Sequence, residues 1–350
     1  MKKNIFLTVI LLAVFFLTAC NEGIDKISYV APGEDTQAPV VSISFPIEGA
    51  QIRVVEDVTT INFQTVITDD IELKSIVFKL DGTQIASFSS FKDYRRALEN
   101  LSYTQLGNGD HAFTVIATDL SGKSTTSTVN FQKVEPYKAK YPGEIFYMPF
   151  DGDNMELLSI TYPTIVGSPS FTTGKAGKAY AGATDAYLTF PATSLKNTEF
   201  SAVLWLNVNT TPDRAGILNI SPDGTDDRTK GFRLFREGSA TSQTIKLNVG
   251  TGSSENWIDM TAVGASDGWK QYAFTISSSE TNIYVDGQLV KTVAGGIAWD
   301  ATCTLMSIGS GMPNFAYWSH LSELSSIDEL RIFNKALSAS EVLKIYNDQK

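Results

Sequence analysis

Short runs in which apolar and polar residues alternate recur along most of the chain, and turn-forming dipeptides separate them. Asp81-Gly82 and Asp286-Gly287 each lie between two such runs, which is a strong local signal for a β-hairpin. A period of two places every second side chain on one face of a strand, where it can pack against a core. The sequence therefore predicts an all-β protein.

The first twenty residues have the features of a secretory signal. Lys2 and Lys3 precede an apolar run over residues 5–17, and Leu17-Thr18-Ala19-Cys20 follows it. The run is too short to span a bilayer as a helix. Leu-Thr-Ala-Cys resembles the bacterial lipobox, which implies that residues 1–19 are a lipoprotein signal peptide and that Cys20 is acylated. The alternative is an ordinary signal peptide with an incidental cysteine.

Residues 20–38 are polar, contain Pro32 and Gly33, and are expected to form a flexible tether. Glu22 and Asp25 are weakly similar to signals that send some Gram-negative lipoproteins to the cell surface. We therefore expect a lipid-anchored outer-membrane protein that faces the cell exterior and contacts the membrane through its anchor only.

Composition excludes several classes of protein. The 350 residues suggest two or three domains, and the content of 43% hydrophobic and 19% charged residues fits folded cores. A net charge of −10 without a basic cluster argues against a nucleic-acid partner. Two histidines and two cysteines are too few for a Cys/His zinc cluster or a disulfide framework. Cys303 is expected to be a small buried apolar residue.

Residues 39–135 contain about seven short strand patterns, which suggest a β-sandwich. The segment resembles bacterial immunoglobulin-like domains, which usually act as spacers. Residues 90–101 interrupt the pattern and could be a short helix or an irregular crossover. The matching stretches are 38–43, 45–50, 80–83 and 109–119.

Residues 136–142 are expected to be a linker, and the strand pattern resumes over residues 143–350. Ser338 and Glu341 form a capping-box pattern that predicts a short C-terminal helix. The whole segment resembles the laminin G-like, pentraxin-like branch of the concanavalin A-like jelly rolls, which implies two packed antiparallel sheets. The stretches that carry the resemblance are 146–152, 174–180, 185–188, 200–206, 268–274, 284–287 and 327–338.

This resemblance implies a structural calcium ion that joins the first strand to the last. Calcium takes six to eight oxygen ligands. Asp328 is the best carboxylate candidate, and Asp151 and Gly182 could add oxygens. In the alternative interpretation, Asp328 only forms hydrogen bonds at a strand end.

A glycoside hydrolase of this fold would carry two carboxylates on one strand face. The sequence contains no Glu-x-Asp-x-x-Glu run, Asp328 and Glu329 are adjacent, and His111 and His320 lie in different domains. We therefore expect no enzymatic activity.

Carbohydrate-binding proteins contact sugars with flat aromatic faces and a few fixed polar groups. Aromatic residues in irregular, polar stretches are therefore candidate ligand contacts, although the loop over residues 312–320 could equally fold back onto its own domain. Four arginines, at 214, 228, 233 and 236, are expected to be ordinary surface charges rather than donors to an acidic sugar. The candidate ligand contacts are Trp318, Tyr317, Phe315, Trp257 and Trp299.

Together these features predict a surface-anchored carbohydrate-binding lipoprotein that captures a polysaccharide or host glycan, with outer-membrane uptake proteins as candidate partners. A protein-binding adhesin or structural surface subunit is the alternative, and a glycoside hydrolase is less favoured.

Overall fold

The computed structural model describes residues 33–350, which fold into two compact units. Residues 33–52 and 58–133 form the first unit, and residues 53–57 and 134–350 form the second. Cys20, the signal peptide and most of the tether lie outside the described residues. Within residues 33–350, no helix is both long and apolar enough to cross a bilayer.

The first unit is a β-sandwich of eight strands in two sheets. The sheet orders are β1-β3-β6 and β2-β8-β7-β4-β5, and only the β2–β8 pairing is parallel. The strands are β1 Val40–Phe45, β2 Ala50–Ile52, β3 Thr59–Thr68, β4 Leu73–Leu80, β5 Thr83–Phe88, β6 Arg96–Leu106, β7 Gly109–Asp119 and β8 Ser124–Lys133.

Inward-facing residues of both sheets form the core of the first unit. Phe63 and Phe113 stack at its centre with ring centroids 4.0 Å apart. Asp81 and Gly82 have φ of +52° and +80°, which is the conformation of the predicted hairpin turn. The undecided stretch over residues 90–101 contains no helix, and strand β6 begins in it at Arg96.

The second unit is a jelly roll of two facing sheets and one helix. A seven-stranded sheet has the order β10-β13-β22-β15-β16-β17-β18. An eight-stranded sheet has the order β11-β12-β23-β14-β19-β20-β21, with β9 also paired to β23. The elements are β9 Glu144–Met148, β10 Thr164–Val166, β11 Ser170–Thr173, β12 Lys178–Ala181, β13 Tyr187–Pro191, a 3-10 turn Thr193–Leu195, β14 Phe200–Asn207, β15 Arg214–Ile220, β16 Phe232–Gly238, β17 Gln243–Gly250, β18 Glu255–Val263, β19 Trp269–Ile276, β20 Glu280–Val285, β21 Gln288–Ala294, β22 Leu305–Ile308, β23 Ser326–Phe333 and α1 Ala339–Gln349.

Helix α1 covers the outer face of the eight-stranded sheet. Val342 and Ile345 pack there against Val203 and Phe333. The predicted capping box is present, because the Ser338 side chain accepts a hydrogen bond from the Glu341 backbone N–H and the Glu341 carboxylate accepts one from the Ser338 N–H. Strand β14 is therefore buried on both faces, between the core and this helix.

The segment predicted as a linker also packs against the jelly roll. Tyr141 is buried beside the helix, and its hydroxyl donates a hydrogen bond to Asp348 (3.0 Å). Tyr137 packs against the ring of Tyr147 and donates a hydrogen bond to Glu144 (3.0 Å). Residues 136–142 thus form part of the second unit.

Candidate functional site

A loop over residues 310–322, here called the covering loop, folds onto the outer face of the seven-stranded sheet. Phe315 stacks on His320 with ring centroids 4.5 Å apart, and both rings pack edge-on against Phe235 of strand β16. All three side chains are fully buried. The prediction that Phe315 contacts a ligand is therefore wrong, because neither face of its ring is accessible.

Glycine allows the covering loop to lie close to itself and to the sheet. Gly311 donates a hydrogen bond from its N–H to the His320 carbonyl (2.7 Å), and a Cβ at residue 311 would lie 2.2 Å from that oxygen. A Cβ on Gly216 of strand β15 would lie 2.2 Å from the Gly311 nitrogen. Asn314 fixes the loop further by donating hydrogen bonds to Ser221 O (3.2 Å) and Asp223 Oδ1 (2.6 Å).

Two tryptophans lie together at the edge of this covered face, and we call them the aromatic pair. Trp257 and Trp318 have ring centroids 5.3 Å apart and an interplanar angle of 30°. Trp257 is 41% exposed, whereas Trp318 is only partly accessible. Trp257 lies on strand β18 and not in the irregular stretch that the sequence suggested, and this strand fixes its position.

The charged groups around the aromatic pair are largely balanced. The guanidinium of Arg228 lies 4.8 Å from the Trp318 ring centroid and pairs with Glu255 (3.4 Å). Lys246 pairs with both Glu237 (3.3 Å) and Asp259 (3.5 Å). Because each of these cations faces a carboxylate, the surface offers polar groups without a surplus of positive charge.

Two arginines that were expected on the surface are fully buried. Arg236 forms a two-point ion pair with Glu323, which is also fully buried. Arg233 lies beneath the covering loop and donates hydrogen bonds to Asn248 Oδ1 (3.1 Å) and Lys230 O (3.0 Å). The prediction of ordinary surface charges is wrong at both positions, because the covering loop and residue 323 exclude solvent from them.

Trp299 and Tyr317 differ in their surroundings from the aromatic pair. Trp299 packs against the main core beside Phe200 and Phe232, and its indole N–H donates a hydrogen bond to Asn197 O (2.7 Å). Trp299 is only partly buried, so its role as a ligand contact stays a prediction. Tyr317 is partly buried, with its ring between Phe315 and Trp318, and supports the latter from the side.

His320 connects the covering loop to a charged residue of the sheet. Its Nε2 lies 2.9 Å from Glu237 Oε1, and its Nδ1 is buried without a hydrogen-bond partner within the described residues. Burial lowers the pKa of His320 to about 4, against the opposing effect of Glu237. The imidazole is therefore neutral at pH 7 and packs as an aromatic ring.

The predicted calcium ligands are brought together only in part. Asp328 Oδ2 accepts a hydrogen bond from Ala176 N (3.0 Å), and Asp151 Oδ1 accepts one from Lys178 N (2.9 Å), so both carboxylates adjoin the turn at residues 174–178. Gly182 instead lies against the backbone of Glu323. Among residues 33–350 there is no group of three or more His, Cys, Asp or Glu side chains placed to hold a metal.

The carboxylate and backbone oxygens at this turn are nevertheless the type of ligand that calcium binds. A Cβ at residue 174 would lie 2.6 Å from Asp328 Oδ2, and one at residue 177 would lie 2.0 Å from Asp151 Oδ1, so the two glycines allow both carboxylates to approach the turn closely. Burial raises the pKa of Asp328 to about 7. No cationic side chain within the described part of the chain pairs with Asp328.

Sequence reasoning overlooked Phe235, which supports the covering loop from below. A signal for it existed, because Phe232 and Leu234 alternate toward the core while Phe235 falls on the opposite face. An apolar residue out of phase with its strand indicates that the second face is also covered.

The fold and this site define a class of protein: two successive β-sandwiches, of which the second is a lectin-like jelly roll with an aromatic pair at the edge of a loop-covered sheet. Comparison with known families gives the same division. Residues 182–343 match the family model described as the concanavalin A-like lectin/glucanases superfamily, and residues 39–115 match the model of a bacterial Ig domain. The chain thus carries one domain of each family.

Several solved structures resemble more than half of the chain at low identity. Domain 4 of AbnA, a GH43 extracellular arabinanase from Geobacillus stearothermophilus solved with arabinotriose, is 18% identical with a TM-score of 0.45, over 58% of this chain and 98% of that one. The binding domain of Botulinum neurotoxin DC, solved with rat synaptotagmin II, is 13% identical with a TM-score of 0.43, over 59% and 52%. This chain spans about half of that toxin chain. At these scores the likenesses carry no argument about function, and no curated protein matches the chain.

Proposed function

We propose that the protein is a surface-anchored carbohydrate-binding lipoprotein whose jelly roll captures a polysaccharide or host glycan for an uptake system. The observation that carries the proposal is the exposure of Trp257 beside Trp318 and Arg228, at the edge of a sheet face that is otherwise covered. A flat indole packs against the C–H face of a sugar ring, and neighbouring polar groups can bind its hydroxyls. The match to a lectin-containing superfamily supports a ligand of this class.

The sequence supports the anchored part of the proposal. An acylated Cys20 would hold the mature chain at the outer membrane, because several acyl chains bind a bilayer far more firmly than one. Residues 20–38 and the Ig domain would then separate the jelly roll from the lipid surface along the chain. Labelling intact cells with an antibody against the jelly roll tests whether it faces the exterior.

Affinity electrophoresis against a panel of soluble polysaccharides tests glycan binding. We expect at least one polysaccharide to retard residues 21–350, and Trp257→Ala to abolish that retardation. Tyr162→Ala is the matched control, because Tyr162 is 60% exposed and precedes β10, at the opposite edge of the same sheet. Equal retardation of Trp257→Ala and wild type would place the site elsewhere.

Two further measurements, made beside the electrophoresis, distinguish the alternative functions. Capture of an envelope or host protein that added sugars do not prevent, with no polysaccharide retarding the chain, would favour the adhesin. Release of reducing ends from a retained polysaccharide would identify a hydrolase.

We also propose that Asp151 and Asp328 bind a structural calcium ion at the turn of residues 174–178. Bound calcium raises the free energy of unfolding by mass action, by about 2.7 kcal/mol at a concentration 100 times the dissociation constant. We expect a chelator to lower the thermal midpoint of the wild type and to leave that of Asp328→Asn unchanged. Asp267→Asn, a carboxylate change outside this turn, should keep the response, and a wild-type midpoint that is insensitive to the chelator would contradict the proposal.

A further inference from the structure

A second candidate binding surface adjoins the covering loop immediately after Trp318. It is a cavity of about 550 Å³, within the range of roughly 300–1,000 Å³ that is usual for small-ligand sites. Ser319 and Leu321 of the covering loop form one wall. The opposite walls come from residues 184–185 and from residues 211–214, which lead into strand β15.

Two exposed carboxylates in this cavity have no partner among the described residues. The side chains of Asp185 and Asp213 accept no hydrogen bond and form no ion pair within residues 33–350, whereas most other acidic side chains near the covering loop do. Arg214 lies beside them with its side chain 42% exposed, and its Nη1 donates a hydrogen bond to Trp318 O (3.0 Å). Arg214 Nη1 also lies 3.9 Å from Glu237 Oε1, so the cavity offers a ligand the two carboxylates as acceptors and the other guanidinium nitrogens as donors.

The walls also offer apolar contact. Leu321 is 43% exposed, and Pro212 and Leu324 are half-buried around the same space. An exposed leucine and a proline next to free polar groups give the mixture that a sugar ring needs, because a sugar has apolar C–H faces and a polar rim.

The backbone at the rim of the cavity is held in an uncommon conformation. Asp185 and Ser319 have φ of +53° and +62°, although neither is glycine. Hydrogen bonds from Asp185 N to Ser322 Oγ (2.6 Å) and from Ser319 N to Ala316 O (2.9 Å) maintain these conformations. Conformations of this kind cost about 1–3 kcal/mol each and are concentrated at binding sites.

The charge of the cavity selects among ligand classes. Two unpaired carboxylates repel a uronic acid or a sulfated sugar, and Arg214 disfavours a cationic side chain. A neutral sugar is compatible with both the carboxylates and Arg214, because its hydroxyls donate hydrogen bonds to carboxylates and accept them from a guanidinium. We propose that this cavity binds a neutral sugar unit, as a second contact for the glycan that the aromatic pair binds, and this inference rests on the proposed function.

The covering loop makes such a two-point contact possible. Trp318 and Ser319 are consecutive, and the Trp318 carbonyl receives the hydrogen bond from Arg214, so the aromatic pair and the cavity share one peptide unit. The ligand is therefore an oligosaccharide or polysaccharide rather than a monosaccharide.

Isothermal titration calorimetry tests this with neutral oligosaccharides of one to six units, prepared from a polysaccharide that retards the wild type. We expect wild-type affinity to increase with length, and Asp185→Asn/Asp213→Asn to bind the longest oligosaccharide at least about tenfold more weakly, since hydrogen bonds to charged groups are lost. Asparagine at residue 185 tolerates the positive φ, which keeps the rim intact. Asp153→Asn/Asp267→Asn, which removes the same two charges outside the cavity, is the control.

The outcomes distinguish this inference from the proposed function. If the double variant binds every oligosaccharide like the control while Trp257→Ala binds none, the cavity is overturned and the aromatic site stands. If no polysaccharide retards the wild type, both fail. If the wild type bound sulfated oligosaccharides as tightly as neutral ones, the assignment of a neutral sugar to the cavity would be overturned.

Discussion

The two outer faces of the jelly roll are covered in different ways. On the eight-stranded sheet, helix α1 presents Val342 and Ile345 to the sheet and covers it together with Tyr141. On the seven-stranded sheet, the covering loop buries Phe315 and His320 but leaves Trp257 41% exposed at its edge. One cover is regular and closed, and the other is irregular and borders both an exposed indole and a cavity.

The difference follows from how the backbone N–H and C=O groups of each cover find hydrogen-bond partners. A helix forms its hydrogen bonds internally, so its side chains are free to fill an apolar interface. A loop must find partners for each buried N–H and C=O group elsewhere, as Gly311 and Asn314 do here. Irregular backbone therefore fits the sheet at fewer points, and the gaps at its border can take a ligand.

Removing the central side chain of each cover should give the largest effects. Phe315→Ala and Ile345→Ala each remove a side chain with at most 1% exposure, and they should lower the free energy of unfolding by about 3–5 and about 2–5 kcal/mol, respectively. Only Phe315→Ala should also abolish glycan retardation, because Phe315 supports Trp318 with ring centroids 6.0 Å apart. Chemical denaturation and affinity electrophoresis measure the two effects. Loss of retardation in both variants would mean that the two covers do not differ in function.

The pH dependence of the loop-covered face should be of intermediate size. The pKa of His320 is about 4 in the folded chain and about 6.5 in the unfolded chain, so the unfolded state binds an additional proton between these values. Stability contributed by the neutral imidazole is complete above pH 6.5 and is lost as the pH falls toward 4. We expect a loss on the order of 2 kcal/mol between pH 6.5 and 4.5.

His320→Gln isolates this contribution. The charged groups that face His320 are Glu237, Arg214 and Lys246, and they remain in the variant. Burial raises the pKa of Asp328, which gives a slope of the opposite sign in part of the same range. The difference between the urea-unfolding curves of wild type and variant therefore cancels Asp328 and measures His320 together with its effect on Glu237, and a difference that does not change with pH would refute the assignment.

The smallest effect on stability should come from the residue with the largest proposed effect on binding. Trp257→Ala should change the free energy of unfolding by no more than about 1 kcal/mol, since the side chain is 41% exposed. The Tyr162→Ala control should behave similarly in urea. A loss as large as that of Phe315→Ala would show that Trp257 is part of the cover rather than a surface next to it.

Local patterns predicted most of the framework. The alternating runs gave the two sandwiches, and Asp81-Gly82, Asp286-Gly287 and the Ser338–Glu341 box have the predicted geometry. Each of these features is determined by residues that are close together in the sequence, so local sequence patterns are enough to predict it.

The candidate site was predicted less completely because it depends on distant contacts. Trp257 and Trp318 are 61 positions apart and meet only when the covering loop lies on the sheet. The local sequence around Arg233 is that of an ordinary charged strand position, so it could not predict that the covering loop buries this side chain. The same is true of Trp299, which lies in a polar stretch of sequence but is partly buried and packs against the core.

The covering loop joins strands that belong to different sheets. It begins after β22, which lies between β13 and β15, and it leads into β23, which lies between β12 and β14. Both strands are interior to their sheets and hydrogen-bonded on each side. A pulling force on a ligand held by Trp318 would therefore pass into the middle of both sheets at once and not into an edge strand that could peel away. At this loop the load would thus be shared between the two sheets, which suits the proposed binding of a large polymer.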